Sequence, residues 1–294
     1  MSIPLTLSDG RIYGTFCCFS FSIHQDLDEA DLGAVRLLAS MAADYIEELE
    51  REEYDVRSRR TRAEGILADA TSPTMVFQPL VELITGEVVA FEALSRFPGW
   101  GEGPLTVFSH AWEADLGVEL EVKAVRHALQ ALEVLSPLHR LAVNISPMTL
   151  IDRAFLRVVS EVPPDRLVVE VTEHSAVDDY DALRVARRRL SDLGILLAID
   201  DVGMGFSGLH HILESAPDWI KIDQAVVRNV HTNPVKAAMI ESLVGFGDRV
   251  DMLVVAEGIE TEDELLALKS LGVSVGQGYG IAYPSPLLQV AIPA

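Results

Sequence analysis

Carboxylate and amide side chains stand where successive apolar runs end in the C-terminal three quarters of the chain. One apolar run leads directly into Asp200 and Asp201, and another leads into Glu170. For a single acidic residue at such a position, a helix cap or a solvated side chain is as good an explanation as a functional site. This applies above all to Asp223 and Glu260. Repetition along the chain favours a common site instead. The polar residues at these positions are Glu92, Asn144, Glu170, Glu173, Asp200, Asp201, Lys221, Asp223, Glu257, Glu260 and Gln277.

These residue types point to divalent metal ions. Carboxylates that converge on one point repel one another and take up protons unless a cation neutralises them. Oxygen ligands without a cluster of cysteine or histidine suit hard ions such as Mg²⁺ and Mn²⁺. The adjacent Asp200 and Asp201 could serve two ions, as two-metal phosphoryl-transfer sites require. Lys221 is either a structural ion-pair partner or a group that orients or deprotonates an attacking water. The residues alone predict metal-assisted hydrolysis of a phosphate ester.

A closed barrel would bring these residues together, because the C-terminal ends of its strands open on one face. Apolar runs of strand length alternate with helical stretches, which predicts a largely parallel sheet covered by helices. About eight strands in roughly 220 residues fit a barrel better than an open doubly wound sheet. Gly203-Met204-Gly205 lacks the rest of a dinucleotide-binding or P-loop motif. The predicted strands are 75–83, 88–97, 141–145, 167–171, 196–199, 219–222, 253–256 and 273–275, and the predicted helices are 117–135, 180–193, 234–249 and 262–271.

The first 65 or so residues differ from the rest. Residues 3–6 and 12–21 predict two strands joined by the turn signal Ser8-Asp9-Gly10. A long helical pattern opens at residues 26–30 and ends before Pro73. Two strands and a helix bury little surface alone, so this segment is expected to be the end of a longer domain or an element that needs a partner. We divide the chain into residues 1–66, the strands and coupling helix, and residues 70–294, the barrel domain.

Composition limits the partners. The chain has 45 acidic and 23 basic residues and a formal net charge of −22, which argues against broad contact with nucleic acid or an anionic membrane surface. A small anionic ligand remains compatible if metal cations lie between it and the protein. No apolar run reaches the ~18 residues of a membrane span, and a cytoplasmic protein is expected. Cys17 and Cys18 are predicted to be small buried residues in a reducing compartment.

In chain order, the polar strings resemble the EAL domain family from residue 75 to the C-terminus. The resemblance implies a modified TIM-type (β/α)8 barrel with one antiparallel strand. It also implies hydrolysis of cyclic di-GMP, a bacterial second messenger, to linear 5′-pGpG with two Mg²⁺ or Mn²⁺ ions. The matching strings are Phe77-Gln78-Pro79, Glu92-Ala93-Leu94-Ser95-Arg96, Asn144-Ile145-Ser146, Glu170-Val171-Thr172-Glu173, Asp200-Asp201-Val202-Gly203, Lys221-Ile222-Asp223, Ala256-Glu257-Gly258-Ile259-Glu260 and Gln277-Gly278-Tyr279.

The resemblance implies roles for single residues. Lys221 would assist the nucleophilic water, Gln277 would position it, and Glu173 would hold the loop that follows Asp201. The residues near the bound dinucleotide would be Gln78, Leu94, Arg96 and Glu260. One ion would be held by Glu92, Asn144, Glu170 and Asp200, and the other by Asp200, Asp201 and Glu257, with Asp223 close by.

The loop from Val202 to Gly208 departs most from the family pattern, which usually has Phe at position 202, a small residue or Thr at 204 and Ser at 208. In the family this loop also takes part in dimer contacts, so the departures bear on rate and regulation more than on chemistry. A homodimer through the barrel and the N-terminal helix is expected.

The N-terminal segment resembles, more weakly, the last strands and final helix of a GAF domain, through Ile3-Pro4-Leu5, residues 8–14 and residues 17–20. Two functions stay open for the chain. One is an active metal-dependent cyclic di-GMP phosphodiesterase. The other is a catalytically weak or inactive receptor that binds cyclic di-GMP and signals through the N-terminal helix. Every metal-ligand position and Lys221 are present, which favours the enzyme.

Overall fold

The computed structural model describes residues 2–19, 29–172, 180–203 and 214–287. The chain divides into two compact units, Met1–Arg62 and Ala63–Ala294. In the first, β1 (Ser2–Thr6) and β2 (Ile12–Cys17) pair antiparallel. The long helix α1 (Glu29–Ala68) begins in this unit, and Arg11 on the hairpin pairs with Glu50 on the helix at 2.8 Å.

Two expectations about the hairpin are wrong. Its second strand ends at Cys17 rather than at residue 21, and residues 20–28 lie outside the described part. Cys17 is exposed and Cys18 only partly covered, not buried. The reason is that a two-stranded sheet alternates its side chains between two faces and here covers no strand residue completely.

The second unit is a closed barrel of eight strands in the order β10-β3-β4-β5-β6-β7-β8-β9. Strand β3 runs antiparallel to both of its neighbours, and the other neighbouring pairs are parallel. This confirms the predicted barrel with one reversed strand. The strands are β3 (Thr74–Glu82), β4 (Val88–Arg96), β5 (Arg140–Ile145), β6 (Leu167–Thr172), β7 (Leu196–Val202), β8 (Trp219–Ile222), β9 (Leu253–Ala256) and β10 (Val275–Gly276).

Helices cover the barrel, and four of them match the predicted spans closely apart from a 3₁₀ end to one: α3 (Gly117–Leu129), α6 (Tyr180–Leu193), α8 (Pro234–Val250) and α9 (Glu262–Ser270). The sequence pattern does not predict α2 (Pro104–Glu113), which follows a stretch rich in glycine and proline. It also does not predict three elements that are too short to show helical periodicity. These are α4 (Pro147–Leu150), α5 (Arg153–Val159) and α7 (Gln224–Val227).

The barrel interior contains an apolar layer to which every strand contributes one residue. Because side chains alternate along a strand, the next inward-facing position on each strand lies two residues away. Small residues dominate the layer, which forms the floor beneath that next position. Its members are Leu80, Ala90, Ala142, Val168, Ala198, Trp219, Val255 and Val275.

Candidate metal and active site

Directly above the apolar floor lies a layer of polar side chains, again one from each strand. On seven strands the polar residue stands two positions after the floor residue. On the reversed strand β3 it stands two positions before, which is the same direction in space. The members are Gln78, Glu92, Asn144, Glu170, Asp200, Lys221, Glu257 and Gln277. The alternation of the strands therefore brings predicted site residues together in one ring.

Lys221 lies inside this ring and is completely buried. Its Nζ is 2.5 Å from Glu257 Oε1 and 2.9 Å from Glu170 Oε2. Two further carboxylate oxygens, from Asp200 and Glu92, lie at 3.4 and 3.5 Å. One ammonium group is therefore shared among four carboxylates.

Amide groups satisfy the carboxylate of Glu92. Asn144 Nδ2 donates to Glu92 Oε1 at 2.7 Å, and Gln277 Nε2 donates to Glu92 Oε2 at 2.7 Å. The same Gln277 nitrogen also lies 3.1 Å from Glu257 Oε1. These contacts fix which atom of each amide is nitrogen, so both amide oxygens are turned away from Glu92.

Burial and charge move the pKa values of the ring in different directions. Burial raises the pKa of Glu170 and of Glu257 well above the usual 4.5, although Lys221 opposes this. Burial also acts to raise the pKa of Glu92, but Lys221 and the two amide donors outweigh it, so this pKa is lowered. Burial acts to lower the pKa of Lys221, but the charges of the surrounding carboxylates outweigh it, so the pKa lies well above its usual 10.5. Lys221 is therefore an ammonium ion in this state.

A β-bulge presents two neighbouring aspartates to the same site. The pairing of β7 with β8 shifts register between Ile199 and Val202, and Asp201 has a left-handed φ of 58°. In a regular strand Asp200 and Asp201 would face opposite sides, but the extra residue of a bulge re-aims its side chain. Ligand oxygens of Asp200, Asp201 and Glu257 lie within 4.8 Å of one another. These three residues can hold one cation.

Two buried oxygens in the ring have no hydrogen-bond partner in the described structure: Glu170 Oε1 and Gln277 Oε1. Buried polar atoms are normally satisfied, and these two oxygens are available to coordinate a cation. Carboxylate and amide oxygens are the donors that Mg²⁺ and Mn²⁺ prefer. The ring therefore fits divalent cations.

Above the ring, the remaining predicted residues line two openings. A cavity of about 240 Å³ is bordered by Gln78, Asp201, Asp223, Glu257 and Glu260, among others. Asp223 caps α7 by accepting from the backbone nitrogen of Ala225, so one of its oxygens is engaged, and it is not part of the three-carboxylate cluster. Glu260 is not a helix cap; it pairs with Arg228 at 2.6 Å, and Thr261 caps α9.

The second opening is a groove of about 370 Å³ with a mainly apolar lining. Leu94 and Arg96 lie along it, and it extends to Asn144, Asp200 and Asp201. Arg96 Nη1 donates to the carbonyl of its neighbour Ser95 at 2.9 Å, which holds the guanidinium beside the groove. The groove and the cavity share Asp201, so a ligand at the bulge can extend into both.

Some predicted site residues lie outside the described part of the chain. These are Glu173 and the loop residues from Met204 to Gly208. Glu121, a buried carboxylate of α3 that lines the groove, is not among the predicted site residues. The sequence pattern could have indicated it, because a glutamate stands among the apolar residues of the buried helix face, where charges are rarely found unpaired.

A family model described as the EAL domain matches residues 65–284. A relative from Caulobacter vibrioides described as an uncharacterized signaling protein is 34% identical over 243 residues, covering 79% of this chain and 30% of the relative. Cyclic di-GMP phosphodiesterase PdeF from Escherichia coli is 30% identical over 212 residues, covering 68% of this chain and 28% of that protein. The chain thus spans about three tenths of the length of these relatives.

Among solved structures, the manganese and cyclic di-GMP complex of BlrP1 from Klebsiella pneumoniae superposes with a TM-score of 0.66 and 31% identity. The match covers 74% of this chain and 57% of BlrP1. None of the helices among the described residues has both the length and the apolar character that crossing a membrane requires.

Proposed function

Because the chain belongs to the EAL domain family, we propose that its barrel hydrolyses cyclic di-GMP to linear 5′-pGpG with two divalent cations, Mg²⁺ or Mn²⁺. The observation that carries this proposal is the polar ring: four carboxylates around Lys221, beside two buried oxygens that lack a partner. Such a set suits a substrate that brings negative phosphates to the barrel mouth through cations.

We assign one ion to Glu92, Asn144, Glu170 and Asp200, and the other to Asp200, Asp201 and Glu257. The unsatisfied Glu170 Oε1 and the three-carboxylate cluster support these assignments. Ions bound there would neutralise the phosphodiester and lower the pKa of a water molecule. In the reaction the water oxygen bonds to phosphorus, the bond from phosphorus to the 3′ oxygen breaks, and that leaving oxygen takes up a proton.

The residues around the ions have separate tasks in this proposal. Gln277 is held through its nitrogen by Glu92 and Glu257, which leaves Oε1 to accept a hydrogen from the attacking water and so to orient it. Lys221 keeps the carboxylates together at short range. Arg96 suits a phosphate, because a guanidinium pairs well with phosphate oxygens. Gln78, Leu94, Glu260 and Asp223 would border the dinucleotide or the second ion.

Hydrolysis is tested directly with the purified full chain. It is incubated with cyclic di-GMP and Mn²⁺ or Mg²⁺, and formation of pGpG is followed by chromatography. Glu92→Gln is expected to lower the rate by at least about 100-fold, since the charge stabilisation that a bound metal supplies is worth several kcal/mol. Glu87→Gln is the matched control, because this substitution removes the same negative charge at an exposed position after β3, away from the ring.

The outcomes separate the two candidate functions. Turnover by the unaltered chain that is lost in Glu92→Gln and kept in Glu87→Gln supports the enzyme. Tight binding of cyclic di-GMP without turnover in either metal would support the receptor that signals through α1. If the chain neither binds nor cleaves cyclic di-GMP, both candidate functions are wrong.

We also propose that the chain acts as a homodimer through the barrel and α1. In α1, Leu38, Met41 and Tyr45 are spaced three and four residues apart and are 48%, 59% and 61% exposed, whereas Ala39 and Ala43 are buried. A helix with apolar residues at such spacing on an exposed face is suited to pairing with another helix. Light scattering of the purified chain tests this, and a monomeric mass would contradict it.

A further inference from the structure

Glu121 is a buried carboxylate to which the proposed reaction gives no task. Its side chain lies on α3 among apolar residues, and the residue is 7% exposed. Oε1 accepts a hydrogen bond from Trp112 Nε1 at 2.9 Å. Oε2 accepts from the Ser146 backbone nitrogen at 2.8 Å and from its Oγ at 3.0 Å. Both oxygens of a costly buried charge are thus engaged, which fixes three elements to one another.

Ser146 connects Glu121 to the polar ring. It stands just beyond β5, whose last paired residue is Ile145, so its backbone nitrogen bonds to Glu121 instead of to a neighbouring strand. Its hydroxyl donates to Glu121 and accepts from the backbone nitrogen of Thr149, which caps α4. Two residues earlier, Asn144 donates to Glu92. The end of β5 that carries Asn144 is therefore held from outside the barrel by Glu121.

Trp112 connects Glu121 to the groove. The indole lies across the first turn of α3, where a Cβ on Gly117 would come within 2.2 Å of a ring atom of Trp112. Only glycine at position 117 allows this approach, so the contact between Trp112 and Glu121 depends on two matched residues. Trp112 and Glu121 both line the groove that reaches Asn144 and Asp200.

We propose that Glu121 is a positioning residue for the metal site and the groove. It fixes the end of β5, and with it the Asn144 amide, relative to Glu92 and Glu170, and it fixes Trp112 in the groove wall. The inference deepens the proposed function and rests on it for the kinetic readout, whereas the Mn²⁺-binding readout does not depend on turnover.

Glu121→Ala in the full chain tests the proposal. This variant removes the acceptor of Trp112 Nε1 and of both Ser146 donors at once. The affinity for Mn²⁺, measured from the free ion by electron paramagnetic resonance, is expected to fall by about 10-fold. This is the low end of the loss that follows removal of a metal ligand's own partner, because Glu121 acts on Asn144 only through Ser146. Glu119→Ala, at an exposed position on the same helix, is the matched control and should bind Mn²⁺ like the unaltered chain.

A second variant separates the contact of Glu121 with Trp112 from its contacts with Ser146. Trp112→Phe removes the indole N–H together with part of the ring and leaves both Ser146 bonds, so its Mn²⁺ affinity should stay within about twofold of the unaltered chain. Its KM for cyclic di-GMP should rise, because the groove wall loses its fixed orientation. If Glu121→Ala does not fold, Ser146→Ala decides instead: it should bind Mn²⁺ at least about threefold more weakly than Trp112→Phe, and equal affinities would overturn the proposal.

The remaining outcomes are also decisive. A Glu121→Ala chain with lowered thermal stability but unchanged Mn²⁺ affinity and unchanged kcat and KM would show that Glu121 is only structural. An unaltered chain that binds Mn²⁺ without cleaving cyclic di-GMP would refute the proposed hydrolysis, while the Mn²⁺ affinities would still decide the role of Glu121. An unaltered chain that binds no Mn²⁺ would overturn both proposals.

Discussion

The ammonium of Lys221 offsets part of the negative charge of the four ring carboxylates around it. The sequence left open whether this lysine is an ion-pair partner or a group that acts on water. Four carboxylate oxygens lie within 3.5 Å of its Nζ and raise its pKa, so in this state it can donate hydrogen bonds but cannot take up a proton. Lys221 could act as a base only after other cations neutralise those carboxylates. Burial would then be the main influence on the pKa of Lys221, and it lowers that pKa.

The raised pKa values of Glu170 and Glu257 predict proton release on metal binding. Burial raises both values well above 4.5, so each carboxyl keeps its proton up to a higher pH than usual, and a bound ion competes with that proton. Calorimetric titration with Mn²⁺ in two buffers of different ionisation enthalpy should give different heats. The apparent affinity for Mn²⁺ should also increase with pH. Equal heats in both buffers would contradict the prediction.

The same shifts set the sign of the pH effect on the metal-free fold. Between 4.5 and the higher folded-state pKa of Glu170 and Glu257, the folded chain binds more protons than the unfolded chain. These two groups therefore make stability fall as pH rises through that window. The raised pKa of Lys221 acts at the alkaline end, where its contribution is lost only as pH passes above 10.5 toward the folded value.

At the scale of elements, the alternation of side chains along the strands explains which site residues the sequence pattern predicts. Residues such as Glu170 and Glu257 follow apolar runs, and the parallel strands deliver them to one rim. Gln78 was found only through the resemblance, because β3 is reversed and the residue stands inside the strand rather than after it. The apolar run before Asp201 makes it a predicted site residue, but its orientation toward the ring depends on a bulge, which a two-residue period cannot predict.

The hydrogen-bond partners of Glu121 could not be predicted from the sequence, because they lie on other elements of the fold. The three donors around Glu121 come from α2, from the end of β5 and from a hydroxyl group that also caps α4. The helix α2 itself begins at Pro104, a favourable first position, but the glycine-rich stretch before it indicated a loop.

The cap of α9 predicts a stability effect next to the site. Glu264 accepts backbone hydrogen bonds from Asn229 at 2.8 Å, Glu260 at 3.0 Å and Thr261 at 3.1 Å, and completes a capping box with Thr261. Glu264→Gln replaces one acceptor oxygen with a donor and should lower the free energy of unfolding by about 1–3 kcal/mol. Denaturant unfolding of both chains measures this. Glu262→Gln, an exposed position in the same turn, should change it by less than about 1 kcal/mol.

The difference between the unaltered chain and Glu264→Gln should depend on pH in a defined direction. Burial acts to raise the pKa of Glu264, but the backbone donors outweigh it and lower the pKa below the usual 4.5. A lowered folded-state pKa gives stability that is complete above 4.5 and is lost as pH falls through the folded value. The difference should therefore be larger at pH 6 than well below pH 4.5. A difference that grows toward acid would contradict this assignment.

At the scale of the whole molecule, the last turns of α1 belong to the barrel unit. Ala63 and Ile66 are buried in a small core with Phe97, Val107, Ala111 and Leu120. Lys123 on α3 donates to the carbonyls of Ile66 and Leu67, at 2.7 and 3.0 Å, and to that of Asp69 at 2.5 Å. A lysine thus satisfies carbonyls at the C-terminal end of a helix, where they have no helical partner.

A pair of shortened chains tests this. A chain that begins at Ala63 should be more stable than one that begins at Ala70 by roughly 2–4 kcal/mol, because the shorter chain loses a buried isoleucine and the partners of Lys123. Urea unfolding followed by circular dichroism measures the difference. Equal stability of the two chains would show that residues 63–69 do not contribute to the barrel unit.

The reversed β3 decides at which rim the polypeptide enters the barrel. Thr74, its first residue, pairs with Arg96, the last residue of β4, which lies at the mouth of the site. With a first strand parallel to the rest, the chain would enter at the opposite rim, roughly 25 Å away for a strand of nine residues. Residues 63–73, which belong to the barrel unit, therefore lead into β3 at the rim on which the site opens.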